Sequence, residues 1–347
     1  MTVRFLDYRK LYTNYQQEID AVIKRCLVNG KLILQDDVES FERRFAEFLG
    51  VKHVIGLNSG TDALLLALRA CGVEGGEVIT SAHTFKSTVG AIINAGATLI
   101  TVDINEYGAM DLDEVEEKIT RSTRAIIPVH LAGDHVNMTK LKRIAGDISI
   151  IEDACQGVGA EYNGQKLGTI GRAGAFSFYP AKILGCFGDG GAMATNDRAV
   201  AKYAYEARNH FKGNNLDYGV NSRLDNLQAA VLSVKLDYLV TDIKKREEVA
   251  KRYNYEFVNL PIGLPRRSVG RVYQDYIIRT HRRDDLHEYL KENGVETLKN
   301  EYPFTMDFKK PKRAKVYEKE TLRLPCNHIM DMEEVEYVTD KVKEFYG

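Results

Sequence analysis

Residues 53–64 read His53-Val-Ile-Gly-Leu-Asn-Ser-Gly-Thr-Asp-Ala-Leu64, an apolar run that passes through a polar turn into an alanine- and leucine-rich stretch. This pattern predicts a buried strand, a tight turn and a helix. The alternation recurs, with further strands expected at 77–81, 98–104, 124–131 and 148–153 and helices at 61–70, 85–95, 113–119 and 139–145. Strands and helices that alternate in this way indicate an α/β fold with a mostly parallel central sheet.

The pattern changes after about residue 240. The amphipathic stretch 244–258 predicts a long helix, and it is followed by two prolines, one strand at 273–280 and a helix at 284–293. A basic loop is expected at 309–315 and a terminal helix at 332–346. We therefore predict a large domain at 1–240 and a smaller α+β domain at 241–347.

Composition excludes several classes of protein. The 347 residues include 48 Lys plus Arg and 49 Asp plus Glu, a balance that argues against a nucleic-acid-binding face. The five cysteines contain no Cys-x-x-Cys pair, so neither a zinc site nor a disulfide framework is expected, and a reducing compartment is favoured. Neither a signal peptide nor an apolar run of about 18 residues is present. We expect a cytoplasmic protein without a metal or membrane partner.

Ligands of open α/β sheets bind beyond the carboxyl ends of the strands, so the residues that follow each strand are the candidates for a site. Gly60 and Thr61 begin a predicted helix, where backbone N–H groups can bind a phosphate, although a simple N-cap by Ser59 or Thr61 explains the same residues. Asp153 ends a buried strand. It can hold a protonated ring nitrogen, or it can cap the following segment.

The strongest signal is Gly174-Ala-Phe-Ser-Phe-Tyr-Pro-Ala-Lys-Ile-Leu-Gly185, which continues through Gly188-Asp-Gly-Gly-Ala192. A lysine in a sheltered pocket, as Lys182 would be, can form a Schiff base, although most lysines are solvated surface residues. An anion site, the aromatic ring of Phe85, a carboxylate and an amine together fit pyridoxal phosphate better than any other common cofactor.

The sequence resembles the pyridoxal-phosphate-dependent nucleotide-sugar aminotransferases of the DegT family, from about residue 4 to 303 and more weakly to the end. The motifs that carry the resemblance are Asn58-Ser-Gly-Thr-Asp-Ala-Leu64, Thr84-Phe85, Glu152-Asp-Ala-Cys-Gln156, Phe176-Ser-Phe-Tyr-Pro-Ala-Lys182, Gly188-Asp-Gly-Gly-Ala192, Gly219-Val-Asn-Ser-Arg223 and Gln228-Ala-Ala230. The resemblance implies a fold type I aminotransferase with a large and a small domain.

The resemblance also implies roles for single residues. Lys182 would form the internal aldimine and move the proton, and Asp153 would keep the pyridinium ring protonated. Phe85 would stack on the ring, and Gln156 would lie against it. The phosphate would be held by Gly60, Thr61 and Ser177, together with Asn221 from the neighbouring subunit. A homodimer with shared active sites would then be the smallest complete enzyme.

The implied reaction is ping-pong transfer of an amino group from a donor such as L-glutamate, through pyridoxamine phosphate, to a nucleotide-linked keto sugar. Ser-Phe-Tyr-Pro-x-Lys resembles the branch that aminates C3 of a dTDP- or UDP-sugar. Lys31 and Ile33 lie where relatives touch the sugar nucleotide. Arg223 can clamp a carboxylate or diphosphate, or form an ion pair between subunits.

Two alternatives share this scaffold. One is a pyridoxal-phosphate-dependent sugar dehydratase or lyase, although relatives that dehydrate carry histidine in place of the lysine. The other is a regulator that binds the cofactor without turnover. A nicotinamide-dependent dehydrogenase is not favoured, because no Gly-x-Gly-x-x-Gly follows a strand.

Overall fold

The computed structural model describes residues 1–212, 218–299 and 311–347. The α-helices of these residues are α1 (Tyr8–Thr13), α2 (Gln16–Val28), α3 (Asp36–Leu49), α4 (Gly60–Ala70), α5 (Lys86–Asn94), α6 (Leu112–Lys118), α7 (Met138–Ala145), α8 (Arg198–Ala207), α9 (Asn226–Glu256), α10 (Arg283–Glu292), α11 (Lys312–Glu320) and α12 (Met332–Tyr346). The strands are β1 (His53–Leu57), β2 (Glu77–Ser81), β3 (Thr98–Val102), β4 (Thr123–Ile127), β5 (Ser149–Asp153), β6 (Glu161–Tyr162), β7 (Gln165–Lys166), β8 (Ala173–Ser177), β9 (Gly191–Thr195), β10 (Tyr276–Arg279), β11 (Leu298–Lys299) and β12 (Thr321–Leu324).

A seven-stranded sheet in the order β1-β9-β8-β5-β4-β2-β3 forms the centre of the protein. The strands from β8 to β3 pair in parallel, whereas β9 runs antiparallel to both of its neighbours. The predicted α/β fold with a mostly parallel sheet is confirmed. Because the carboxyl ends of the parallel strands share one edge, the segments that follow β2, β5 and β8 lie side by side.

The middle residues of the central strands are apolar because both faces of the sheet are covered. In β4, Ile126 packs into a core cluster with Phe41 and Phe45 of α3. Its neighbours Ala125 and Ile127 point the other way, into a cluster that contains helices α4 and α5. Two hydrophobic cores therefore hold the sheet between layers of helices.

A smaller unit surrounds the antiparallel sheet β10-β12-β11. Its core includes Tyr253 of α9, Tyr276 of β10 and Val338 of α12. Val3, near the N-terminus, packs into the same core and pairs with Val295. The predicted domain boundary at residue 240 lies within the continuous helix α9, and we propose that this helix joins the two units.

Two expectations for the small unit differ from the structure. The sequence predicted one strand there, but β11 and β12 are strands as well. The predicted basic loop at 309–315 includes Lys309 and Lys310, which lie outside the described residues, whereas its remaining residues begin helix α11. Arg313 is exposed, and it forms salt bridges with Asp103, Asp111 and Glu114.

Within the described ranges, no helix combines the length and the apolar character that are needed to cross a membrane.

Candidate active site

A cavity of about 730 Å³ lies where the carboxyl ends of the central strands meet the small unit. Its volume is within the usual range for small-molecule sites. Residues from both units line it, among them Ser59, Gly60, Thr61, Phe85, Thr88, Asp153, Cys155, Gln156, Ser177, Lys182, Arg246, Gln274, Asp275 and Arg323. The structure thus brings together every cofactor residue that the sequence predicted within one subunit, from positions 60 to 182.

Helix α4 begins at this cavity. Ser59 is the N-cap, and its hydroxyl accepts a hydrogen bond from the N–H of Asp62 at 3.1 Å. A Cβ on Gly60 would lie 2.6 Å from Cys155 Sγ and 3.0 Å from Ser177 Cβ. Only glycine fits there without displacement of its neighbours. The first N–H groups of α4 therefore lie beside the Ser177 hydroxyl, an arrangement that suits an anion.

Asp153 is the last residue of β5, and it is 6% exposed. Its Oδ2 accepts a hydrogen bond from Thr88 Oγ1 at 2.8 Å, and its Oδ1 accepts one from the backbone N–H of Cys155 at 3.2 Å. Thr88 Oγ1 also lies 2.8 Å from Thr84 Oγ1. These contacts orient a buried carboxylate at the cavity, where a positively charged group of a ligand can pair with it.

The adjacent carboxylate, Glu152, has a different task because successive side chains of a strand point to opposite faces. Glu152 is fully buried and accepts hydrogen bonds from three backbone N–H groups in the segment 168–171. Its Oε2 also lies 2.9 Å from His130 Nε2. Glu152 therefore holds the loop between β7 and β8, whereas Asp153 faces the cavity.

Phe85 and Gln156 add an aromatic ring and an amide to the lining. Phe85 directly precedes α5 and is 52% exposed, so its ring offers a flat surface for stacking. Gln156 Oε1 accepts a hydrogen bond from the backbone N–H of Ala132 at 2.7 Å, which fixes the orientation of the amide.

Lys182 lies in the loop between β8 and β9, and its backbone N–H donates to Tyr179 O at 2.8 Å. Its side chain is half-buried and lines the cavity, so it is not the solvated surface lysine of the alternative interpretation. Within the described part of the chain, its Nζ makes no hydrogen bond or salt bridge. The amine is thus available to a ligand.

The small unit supplies the opposite wall. Arg246 of α9 donates from Nη1 to the carbonyl oxygens of Tyr273 and Cys326 at 3.1 and 2.8 Å. Arg323 of β12 reaches Asp275 with a single contact, Nη1 to Oδ2 at 3.4 Å, and its Nε is buried without a hydrogen-bond partner. The guanidinium of Arg323 therefore keeps hydrogen-bond donors that a ligand can use.

Asn221 lies outside the cavity of its own subunit, and its side chain is exposed. The next residue, Ser222, is fully buried, and its hydroxyl accepts a hydrogen bond from the N–H of Asn58 at 3.2 Å and donates to Asp62 Oδ2 at 2.7 Å. The loop is thus attached to the start of α4 while Asn221 points outward.

The predicted substrate residues also lie outside this cavity. Lys31 forms a salt bridge with Asp36, and Ile33 is 41% exposed. Arg223 Nη1 donates to Asn209 Oδ1 at 3.1 Å. Their part in substrate binding stays a prediction.

Sequence reasoning missed Thr88, Gln274 and Arg323. Thr88 lies one turn into α5, and its spacing of three residues from Phe85 placed it on the same helix face. Gln274 and Arg323 belong to the small unit, where nothing in the local pattern indicated a contact with the motif around Lys182. For these two residues the contact depends on tertiary structure alone.

Among the described residues, no group of three His, Cys, Asp or Glu side chains is arranged to hold a metal ion. Burial, helped by the charge of Asp153, raises the pKa of the Cys155 thiol well above its usual value. Burial also raises the pKa of Cys186 and of Cys326 to about 12.

Comparison with known proteins identifies the family. The family model described as DegT/DnrJ/EryC1/StrS aminotransferase family matches residues 13–343. The chain belongs to this aminotransferase family. The resemblance inferred from the motifs is therefore confirmed.

The chain is similar to a "dTDP-3-amino-3,6-dideoxy-alpha-D-galactopyranose transaminase" from Aneurinibacillus thermoaerophilus. The two are 40% identical, and the match covers 99% of each chain. The solved structure of Streptomyces venezuelae DesV, "in complex with ketimine intermediate", superposes with a TM-score of 0.94 at 37% identity over 99% of this chain and 98% of DesV. The structure of Bacillus subtilis NtdA "with bound cofactor pmp" superposes with a TM-score of 0.92 at 30% identity, over 99% of this chain and 85% of NtdA.

The raised thiol pKa values lead to a prediction about pH. At pH 8 the folded aminotransferase should react slowly with iodoacetamide, because its thiols stay protonated, whereas all five should react after unfolding. Since the folded state retains protons that unfolded thiols lose above about pH 8.5, the free energy of unfolding should fall as the pH rises through that value. Mass spectrometry of labelled protein and denaturant titrations between pH 7 and 10 measure both. Rapid labelling of Cys155 in the folded protein would contradict the assigned environment.

Proposed function

We propose that this chain transfers an amino group from an amino acid such as L-glutamate to a keto group, at C3, of a hexose linked to dTDP or UDP. One observation carries the proposal. A single cavity of this aminotransferase-family chain holds a lysine amine, a buried carboxylate and the start of a helix, and no described residue forms a salt bridge with that amine.

The residues present fit pyridoxal phosphate. Donors for a phosphate come from the N–H groups at the start of α4 and from the Ser177 hydroxyl. Only glycine fits at residue 60, where α4 begins. The carboxylate of Asp153 is suited to a protonated ring nitrogen, and the ring of Phe85 is suited to stacking on a flat heterocycle. Lys182 supplies a primary amine for an aldehyde.

When bound, pyridoxal phosphate supplies an aldehyde that combines with amines and a ring that withdraws electrons from the reacting carbon. Asp153 would keep the ring nitrogen protonated, and Thr88 orients this carboxylate through a 2.8 Å hydrogen bond. Phe85 and Gln156 line the cavity and would contact the ring. The protein thus contributes orientation and a fixed negative charge.

Lys182 has two tasks in this proposal. Its Nζ would hold the cofactor at rest, and it would take a proton from the donor carbon that bears the amino group and later give one to the acceptor carbon. A half-buried position suits both tasks, because the amine reaches the ligand while bulk water is partly excluded.

Several further features support the finer parts of the proposal. The relative from A. thermoaerophilus is named for a 3-amino sugar linked to dTDP, which favours amination at C3. The cysteines of the chain are all free, which suits a reducing compartment such as the cytoplasm. Asn221 is exposed next to the anchored Ser222, an arrangement that suits a contact with the phosphate site of a neighbouring subunit.

The direct test supplies the holoenzyme with 15N-labelled L-glutamate and dTDP- or UDP-linked 3-keto and 4-keto hexoses. We expect a 15N-amino sugar from a 3-keto substrate, detected by mass spectrometry. Lys182→Ala should abolish transfer and leave the cofactor removable by dialysis after borohydride treatment, because no covalent link is available for reduction. Loss of a hydroxyl from the sugar without 15N would support a dehydratase. Retention of cofactor without reaction on any sugar would support a regulator.

A subunit-mixing experiment tests the shared active site. Lys182→Ala and Asn221→Ala homodimers should each have low activity. In a heterodimer of the two variants, one site would combine an intact Lys182 with an intact Asn221 from the other subunit. Co-refolded or co-expressed mixtures should therefore regain activity. If both residues act within one subunit, no intact site forms and mixing should restore nothing.

A carboxylate-bearing donor requires a cation, and we propose that Arg323 supplies it. The cations that line the cavity are Lys182, Arg246 and Arg323. Among the described residues, both arginines have a buried Nε without a hydrogen-bond partner. Arg246 Nη1, however, already donates to three backbone carbonyls, whereas the one contact of Arg323 is from Nη1 to Asp275 Oδ2 at 3.4 Å. A planar guanidinium with unused donors suits a carboxylate.

Arg323→Gln should raise the KM for L-glutamate by about 10- to 100-fold, the loss expected for hydrogen bonds to a charged group, and should change the KM for the keto sugar by less than about threefold. Arg279→Gln is a matched control, because Arg279 lies on the same small sheet, pairs with Glu320 and does not line this cavity. Steady-state kinetics with each substrate varied in turn measure both constants. A rise caused by Arg223→Gln and not by Arg323→Gln would assign the carboxylate to the sequence-predicted arginine instead.

A further inference from the structure

The segment that carries Lys182 contains no helix or strand between the end of β8 and the start of β9. Its backbone makes few bonds of its own near the lysine, chiefly Lys182 N–H to Tyr179 O and Cys186 N–H to Phe178 O, both at 2.8 Å. The position of the lysine therefore depends on the side chains that hold this loop from outside.

Gln274 holds the loop on both sides of Lys182. Its Oε1 accepts a hydrogen bond from the backbone N–H of Ile183 at 3.0 Å, and its Nε2 donates to the carbonyl oxygen of Ala181 at 3.0 Å. The residue is 9% exposed, so water competes little for either bond. One side-chain amide thus holds the backbone directly before and directly after Lys182.

The backbone of Gln274 is fixed in turn by the small unit. Arg246 Nη1 donates to the carbonyl oxygens of Tyr273 at 3.1 Å and Gln274 at 3.4 Å, and also to Cys326 O at 2.8 Å. Arg246 is 3% exposed and lies on α9, the helix that continues from the large unit. Two residues after Gln274, β10 begins and pairs with β12. The amide is therefore attached to a rigid support.

We propose that Gln274 is a positioning residue for Lys182. It sets the backbone on either side of the lysine and thereby sets where Nζ lies, and it connects that position to the small unit. The inference rests on the proposed function only in so far as Lys182 is the reactive amine. It predicts that loss of the amide slows the chemistry more than it weakens donor binding.

Gln228 provides a matched control. This residue of α9 also clamps the loop with both ends of its amide: Oε1 accepts from the Phe187 N–H at 3.0 Å, and Nε2 donates to Phe187 O at 3.2 Å. The two glutamines make the same number of bonds to the same loop. Only Gln274 binds the neighbours of Lys182, and only Gln274 lines the cavity.

The experiment compares Gln274→Met and Gln228→Met with the wild-type holoenzyme, since methionine keeps the length of the side chain without its hydrogen bonds. Stopped-flow absorbance follows the reaction with L-glutamate alone and yields a maximal rate and a half-saturating donor concentration. Hydrogen exchange, measured by mass spectrometry with fragmentation that resolves single amides, reports on Ile183 and Phe187. Thermal unfolding gives the stability of each variant.

In Gln274→Met, the maximal rate should fall by about 10- to 100-fold, the effect of a displacement near 1 Å at a reacting group, while the half-saturating concentration changes by less than about threefold. The Ile183 amide should exchange faster. Gln228→Met should speed exchange at Phe187 and change the maximal rate by less than about threefold, with a similar loss of stability.

Equal losses of rate in both variants would overturn the inference, because loop anchoring in general would then explain them. An unchanged maximal rate in Gln274→Met, or an effect confined to the donor concentration, would overturn it as well. If Gln274→Met does not fold, Gln274→Glu carries the test, since it retains an acceptor for Ile183 and lacks the donor for Ala181. A wild-type protein that does not react with any amino donor would instead contradict the proposed function, while the exchange data would still report on the two hydrogen bonds.

Discussion

The site depends on one close approach, that of the first residue of α4 to the ends of β5 and β8. Without a side chain at Gly60, the backbone comes within reach of Cys155 and Ser177, and three strand ends meet around one cavity. Because the parallel strands all end at the same edge, the start of α4, the carboxylate of Asp153 and the amine of Lys182 converge without any long connection. Any larger residue at position 60 would have to separate these elements.

Buried polar groups attach helix α9 to the elements that pack against it. Lys235, which is 2% exposed, donates to Gly185 O in the loop that carries Lys182, and burial lowers the pKa of its ammonium to about 8. The hydroxyl of Tyr15 donates to Asp242 at 2.5 Å, and burial lowers the pKa of His328 to about 2, so that this histidine stays neutral. Such bonds are directional, and they fix one position of α9 where apolar packing alone would permit several.

The sequence predicted the central sheet well, and it picked out residues that the structure brings together at one cavity, because both follow from local pattern. Strand 148–153 and the helix near Thr61 were within a residue of the observed β5 and α4. The small unit was predicted less well. Strand β12 is four residues long and contains an arginine, so it has no clear periodicity, and its existence depends on pairing with β10. Gln274 and Arg323 reach the cavity for the same reason, through contacts between segments that are distant in the chain.

The single antiparallel strand of the central sheet has a consequence for how this protein can change. Since β9 returns beside β8, Ser177 and Gly191 are direct partners, and the segment between them begins and ends at the same point of the sheet. The register of β8 and β9 is set by their own pairing, so the length of the segment between them is not dictated by the sheet. This segment, which carries Lys182, can therefore differ in length between related proteins while the sheet beneath it stays the same.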